Sequence, residues 1–226
     1  MHALYRRSRR VAKHLGLRRL LDVARRREQW NATWVAWGFE RGLGVPFAAP
    51  NAKIPISIRP LNGDIARRMF NLAEAGISAE ERELRKSRGE LFASGIGRGF
   101  VALTDADEPC YCQWLIGPEW NDAVKEHFDH IFPEILPGEA LLEAAFTPEA
   151  HRGKGIMPAA MARIAAAGSE FGAHRVITFV TEDNVPSIKG CERAGFQTYT
   201  RRTVAWRGPF RKLTFEPVDR PASETS

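Results

Sequence analysis

No apolar run in this 226-residue chain approaches the roughly 20 residues that a bilayer-spanning helix needs. Its opening, MHALYRRSRRVAKHLGLRRL, spreads charge throughout and has no separate apolar stretch, which argues against a secretory signal. Cysteine is scarce. Cys110, Cys112 and Cys191 are odd in number and lack both a disulfide framework and the spacing of a zinc site. A reducing cytoplasm fits that usage, and no metal is assigned. There is no internal repeat, and no G-x-x-x-x-G-K-[ST] run that would make a Walker A loop. The apolar content of 44% is ample for a core.

The net charge of +6 suggests nucleic acid or a membrane until it is mapped. Residues 1–29 hold ten of the 33 Lys/Arg but only Asp22 and Glu28 of the acidic residues. The remainder is slightly acidic, so the basic character belongs to a leader and a nucleic-acid role is unlikely for the body. The leader's apolar residues fall near helical spacing, and Trp30, Trp34 and Trp37 extend it at i, i+4 and i+7. The expectation is a basic helix with three indoles on one face, broken at Gly38 and by the GLGVPFAAP run. Such a helix, over residues 1–37, either packs on the body or a second subunit, or lies on an anionic membrane surface.

Past a linker ending near residue 53, the body reads as mixed α/β. IPISIRPL (54–61) suits a strand, 63–76 a helix, and Ser78 followed by Glu81 opens a second helix as a capping box. Residues 98–117 form the clearest hairpin, around Asp105–Pro109. The turn alone explains the acidic cluster Asp105–Glu108. A helical stretch near 121–132 leads to GEALLEAAFTPEA (138–150), a strand with Leu142, Ala144 and Phe146 on one face. HRGKGIMPAAM (151–161) then enters a helix, and HRVITFVT (174–181) is a central-type strand. A short helix over 184–196 ends at Gly195, two further strands follow, and 217–226 reads as a disordered tail.

The strand, glycine turn and helix around 141–161 are the setting of an anion site. Free N–H groups and the dipole favour negative charge at a helix start, and Gly153 and Gly155 allow close approach. A dinucleotide fingerprint would need a third glycine where Pro158 stands. A solvated basic turn is the plainer alternative. About thirty residues on comes EDNVPSIKGCERAGF, in which Asn184 and Ser187 suit a helix start.

These two elements resemble the GNAT acyltransferase superfamily. Its turn follows [Q/R]-x-x-G-x-[G/A], where Arg152, Gly155 and Met157 stand, and its later element follows N-x-x-[S/A]-x-x-x-Y-x-x-x-G-F, matched at Asn184, Ser187, Gly195 and Phe196. The resemblance covers roughly 54–216 and is strongest over 138–197. It implies a GNAT-like, mostly antiparallel mixed sheet with flanking helices, beside the N-terminal extension of residues 1–53. It also implies acetyl-CoA, or another acyl-CoA, as cosubstrate. Ala145, Phe146 and Thr147 would pair with the pantetheine, and Arg152, Gly153, Lys154, Gly155, Ile156 and Met157 would hold the pyrophosphate. Asn184 and Ser187 would border the cofactor's far arm. The implied reaction is attack of a small-molecule primary amine on the thioester.

Two positions depart from the pattern. Met157 replaces a small residue, and Cys191 stands where many members carry the tyrosine that protonates the departing thiolate. Cys191 is a candidate acid, or a buried helix residue. Glu143 and Glu139 are candidate bases, or edge carboxylates. His151 faces either the phosphates or solvent. The Arg201–Arg202 pair and Trp206 mark a side that an anionic or aromatic acceptor would suit, or are ordinary surface residues. The alternatives to an acetyltransferase are a cofactor-binding domain with little activity and a membrane-associated enzyme using a longer acyl donor. A homodimer is left open.

Overall fold

The computed structural model describes residues 31–218. One eight-stranded sheet runs through it, with thirteen strands and α-helices in chain order. They are β1 (Thr33–Gly42), β2 (Ile56–Pro60), α1 (Gly63–Met69), α2 (Ala79–Ser94), β3 (Arg98–Thr104), β4 (Pro109–Ile116) and α3 (Asn121–His127). Then follow β5 (Glu139–Phe146), α4 (Ile156–Ala166), β6 (Arg175–Thr181), α5 (Val185–Arg193), β7 (Gln197–Arg207) and β8 (Phe210–Pro217). The strand order is β2-β3-β4-β5-β6-β1-β7-β8. Neighbours are antiparallel except β5 and β6.

The N-terminal segment differs from the helix expected of it. Residues 33–42 form a strand inserted between β6 and β7, so Trp34 and Trp37 are not on a helix and do not share a face. Indoles at i and i+3 fit a helix, but TWVAWGFERG also alternates, and two ladders of partners favour the strand. Gly38 permits this packing. A Cβ there would lie 2.4 Å from Thr200 Cγ2 and 2.9 Å from Phe179 Cε1. The sheet therefore begins at Thr33, inside the segment read as leader and linker. The rest of the expected leader helix, and the tail from residue 219, lie outside the described residues.

Local signals mark the other boundaries. Asn62 caps α1 by accepting from the Ile65 amide at 3.0 Å. That helix stops at Met69, short of the expected residue 76, because Asn71 accepts from the Ala73 amide and turns the chain. α3 likewise stops at His127, short of 132, with Asp129 and His130 at positive φ. Ser78 caps α2 as the sequence predicts, accepting from the Glu81 amide at 3.0 Å. Gly95 ends it with φ of 72°.

The helices cover both faces. α4 and α5 pack on one side, against Tyr111, Leu115, Ala140 and Leu142. α1, α2 and α3 cover the other, against Val101, Trp114, Ala144 and Phe146. Leu142 and Ala144 thus belong to opposite cores, contrary to the alternation expected along β5. The reason is a bulge: Ala144 has φ of 61°, and the β4 register shifts between Cys112 and Trp114. Arg41 ties the two site-bearing helices together, donating to Ala162 O at 3.0 Å and Ala194 O at 3.2 Å.

Candidate active site

β5 and β6 pair only over Glu139–Leu141 and Arg175–Ile177, and then diverge. The bulge at Ala144 lies where the strands part, so backbone groups on both edges lose their ladder partners. Glu143 and Arg88 take up several of them. Glu143 Oε2 accepts from the Ala144 amide at 3.0 Å, and Oε1 accepts from the Phe179 amide at 3.4 Å. From α2, Arg88 Nε donates to Ala144 O at 2.8 Å and Nη2 to Ala145 O at 3.4 Å.

The glycine turn stands at the mouth of this opening. Gly153 and Gly155 have φ of 74° and 69°, and Gly155 is the left-handed residue from which α4 starts. A Cβ would find open space at Gly153, so conformation rather than room calls for glycine there. No side chain caps the first turn of α4, which leaves its leading amides free for an anion. The connection from β1 to β2 buttresses the turn, with the Lys53 amide donating to Lys154 O at 2.8 Å.

A groove of about 600 Å³ runs from this turn to a chamber of about 210 Å³ inside the splay. Ala145 and Met157 border both. Every cofactor residue expected from the sequence lines the groove except Lys154, whose backbone carbonyl is committed to Lys53. Glu143 and Cys191 both line the chamber. Glu139 does not. It is buried, ion-paired with Arg175, and accepts from the Leu136 amide, which makes it structural.

The electrostatics separate the candidates. Burial pushes the Glu143 carboxyl above its ordinary range, against the pull of the Ala144 amide and the Arg202 and Arg88 charges. Burial also pushes the Cys191 thiol up to about 12, reinforced by Glu143 and Glu192. Tyr199 is pushed up to about 12 and sits beneath the Arg175 guanidinium, 4.7 Å away. His151 does not face solvent but contributes to the wall of the groove. It is buried with Nε2 3.3 Å from Glu108 Oε1.

The departure at Met157 has a partner. A Cβ on Gly190 would fall 2.8 Å from Met157 Sδ and 3.0 Å from its Cε, so the thioether lies against bare helix backbone. Gly190→Ala should keep its fold, because the clash is with the end of a flexible side chain. The displaced thioether would enter the groove it borders, and coenzyme A affinity should fall about tenfold by calorimetry, an overpacking cost of order 1–2 kcal/mol. Adding Met157→Ala should restore it.

Sequence reasoning missed three residues. Arg88 is one of many arginines on a polar helix, and nothing local says that it crosses to β5. Tyr111 donates to Gln113 Oε1 at 2.5 Å between groove and chamber. A glutamine within CYCQWLI, an otherwise apolar arm, was the available signal.

Fold and cleft together define a GNAT-like protein: a mixed sheet, splayed at a parallel junction, with a glycine turn leading into a helix beside it. The family model described as an acetyltransferase (GNAT) domain matches residues 63–197, more than half of the chain, and the chain belongs to that family. An acetyltransferase of the GNAT family from Colwellia psychrerythraea superposes with a TM-score of 0.51 at 15% identity, covering 84% of this chain and 59% of that one. A GCN5-related N-acetyltransferase from Sphaerobacter thermophilus gives 0.50 at 15% identity, covering 88% and 56%. At such identities the likeness shows the fold, and this chain spans less than two thirds of either relative. No curated protein sequence matches it. Among the described residues no helix is long and apolar enough to cross a membrane, and no cluster of His, Cys, Asp and Glu could hold a metal.

Proposed function

We propose that this chain transfers an acyl group, most simply acetyl, from an acyl-CoA to the primary amine of a small molecule. The carrying observation is the continuity of groove and chamber, which joins a glycine turn with free helix amides to a half-buried carboxylate through one splayed junction. The residues present fit an acyl-CoA. The turn offers unpaired amides beside Arg152, the middle of the groove is walled by Ala145, Phe146 and Met157, and the chamber reaches Glu143. When bound, that cosubstrate supplies an activated acyl thioester.

The chain's own groups do the rest. Amides around 153–157 hold the diphosphate, and the edge of β5 from Ala145 to Thr147 orients the pantetheine. Asn184, whose Oδ1 accepts from the Ser187 amide at 3.2 Å, fixes the start of α5 at the groove wall. Glu143 receives the proton that the amine gives up as it is acylated. Its raised pKa makes it a stronger base than an ordinary carboxylate, and burial keeps bulk water from competing.

Cys191 suits neither nucleophile nor acid. A thiol held at about 12 stays protonated at neutral pH, and giving its proton to a thiolate of ordinary pKa, about 8.5, runs uphill. Cys191→Ala should therefore leave kcat within about threefold, the small effect of trimming one buried lining atom.

The test is steady-state thiol release from acetyl-CoA across a panel of primary amines. Turnover on at least one amine is expected. Saturable coenzyme A binding without turnover on any amine would instead make the chain a cofactor-binding domain.

A further inference from the structure

Behind Phe179, which lines the chamber, stand two arginines with donors that no protein group takes. Arg202 is only 9% exposed, yet it makes a single hydrogen bond, from Nη1 to Ile131 O at 3.3 Å. Its guanidinium lies 5.3 Å from the Phe132 ring centroid and 5.1 Å from that of Phe179. Among the described residues no carboxylate lies within ion-pair distance of it. A guanidinium has five donors, so most of those on Arg202 are left for water or a ligand.

Arg211 stands beside it. The β7–β8 register pairs Arg202 with Phe215, Val204 with Leu213 and Trp206 with Arg211, which sets both arginines on one face of the hairpin. Arg211 Nη1 is 3.1 Å from the exposed Asp129 carboxylate, while its Nη2 is buried with no partner at all. Buried donors without acceptors are rare in native proteins, and each calls for a partner such as a water, an ion or a ligand.

Arg202 is linked to the chamber through Phe179, which lines it. Phe179 gives its amide to Glu143 and its ring to Arg202. Arg202 lies within electrostatic reach of both Glu143 and Arg211. Phe132 and Phe179 flank the Arg202 guanidinium, and Phe215 packs on Phe179.

We infer that the acceptor is an amine that also carries a carboxylate, an amino acid with an apolar or aromatic side chain. Its amine faces Glu143, its carboxylate takes donors of Arg202 and Arg211, and its side chain lies among the phenylalanine rings. A planar carboxylate matches the guanidinium fork, whereas a neutral group leaves those donors unmet. The inference rests on the acetyl-transfer reading for the amine and on the arginines alone for the anion.

The experiment compares apolar and aromatic L-amino acids with their carboxamides in the thiol-release assay. Thermal shift with 3-phenylpropionate, in saturating coenzyme A, reports the anion site without chemistry. Free amino acids should exceed their carboxamides in kcat/KM by about tenfold or more, the worth of a charge-assisted hydrogen bond. The ratio should fall toward one in Arg202→Met and Arg211→Met, each checked for retained coenzyme A binding. Turnover that ignores the carboxylate would overturn the inference and leave acetyl transfer standing. Absent turnover with a 3-phenylpropionate shift that Arg202→Met abolishes would do the reverse, keeping the anion site and ending the transfer reading. Neither turnover nor shift would end both.

Discussion

Replacing Glu143 with Gln is expected to lower kcat by about 10²–10⁴-fold while coenzyme A still binds, the usual scale for losing a positioned general base. Gln nearly preserves size and can still accept from one of the two amides that Glu143 caps. It cannot take a proton at neutral pH. The wild-type pH profile should carry the same signature. Because burial raises the Glu143 pKa, its protonated, inactive form persists to higher pH than for an exposed carboxylate. Activity should therefore rise with pH through a limb lying above the ordinary carboxylate value of about 4.3. Arg88 and Arg202 restrain that shift through their charges, so Arg88→Met should move the limb to still higher pH. An acid limb that Arg88→Met leaves in place would dissociate it from Glu143.

Glu81→Ala should be the most destabilising of the substitutions considered, by about 3–5 kcal/mol, because it strands a buried charge. Arg85 has only 4% of its side chain exposed, and Glu81 Oε1 receives both its Nε at 2.9 Å and its Nη2 at 2.6 Å. The other carboxylate oxygen accepts from the Glu149 amide at 2.8 Å, on the approach to the glycine turn. Ser78 Oγ donates to Glu149 Oε1 at 2.5 Å and closes the link between α2 and that turn. Glu74 holds Arg85 from the exposed side at 2.6 Å but cannot replace the inner partner. Thermal unfolding should show Tm falling by roughly 10 °C or more for a domain of this size. Glu83→Ala, on the exposed face of the same helix, should stay within about 0.5 kcal/mol of the parent.

What the sequence made legible was local. Ser78 and Glu81 lie three residues apart, so the N-cap could be read directly, although the side chain of Glu81 turns inward to Arg85 instead of closing the box. The glycine turn and the Asn184–Ser187 pair were equally readable, since each needs only a few consecutive residues in a fixed conformation. β1 was not, because Trp34 and Trp37 satisfy helical spacing as well as a strand, and only the ladders to β6 and β7 decide. The Ala144 bulge reverses the faces of β5 at a position where the alternation LLEAAF gives no warning. The roles proposed for Arg88, Arg202 and Arg211 depend on what crosses them, and of the three only Arg202 stood out in the sequence, as one of an arginine pair. Their roles arise from α2 reaching β5 and from the β7–β8 hairpin facing the 128–138 loop, neither of which is written in local pattern. Met157 announced itself as a departure, but its compensation at Gly190 lies 33 residues away on another helix.

The central claim is that main-chain amides at the start of α4 grip the diphosphate of coenzyme A. Backbone amide resonances measured during a coenzyme A titration test it most directly. The account predicts saturable shifts of the Gly153, Gly155, Ile156 and Met157 amides, among the largest in the spectrum. If those signals stay in place at saturating coenzyme A, the claim is contradicted, wherever else the ligand binds.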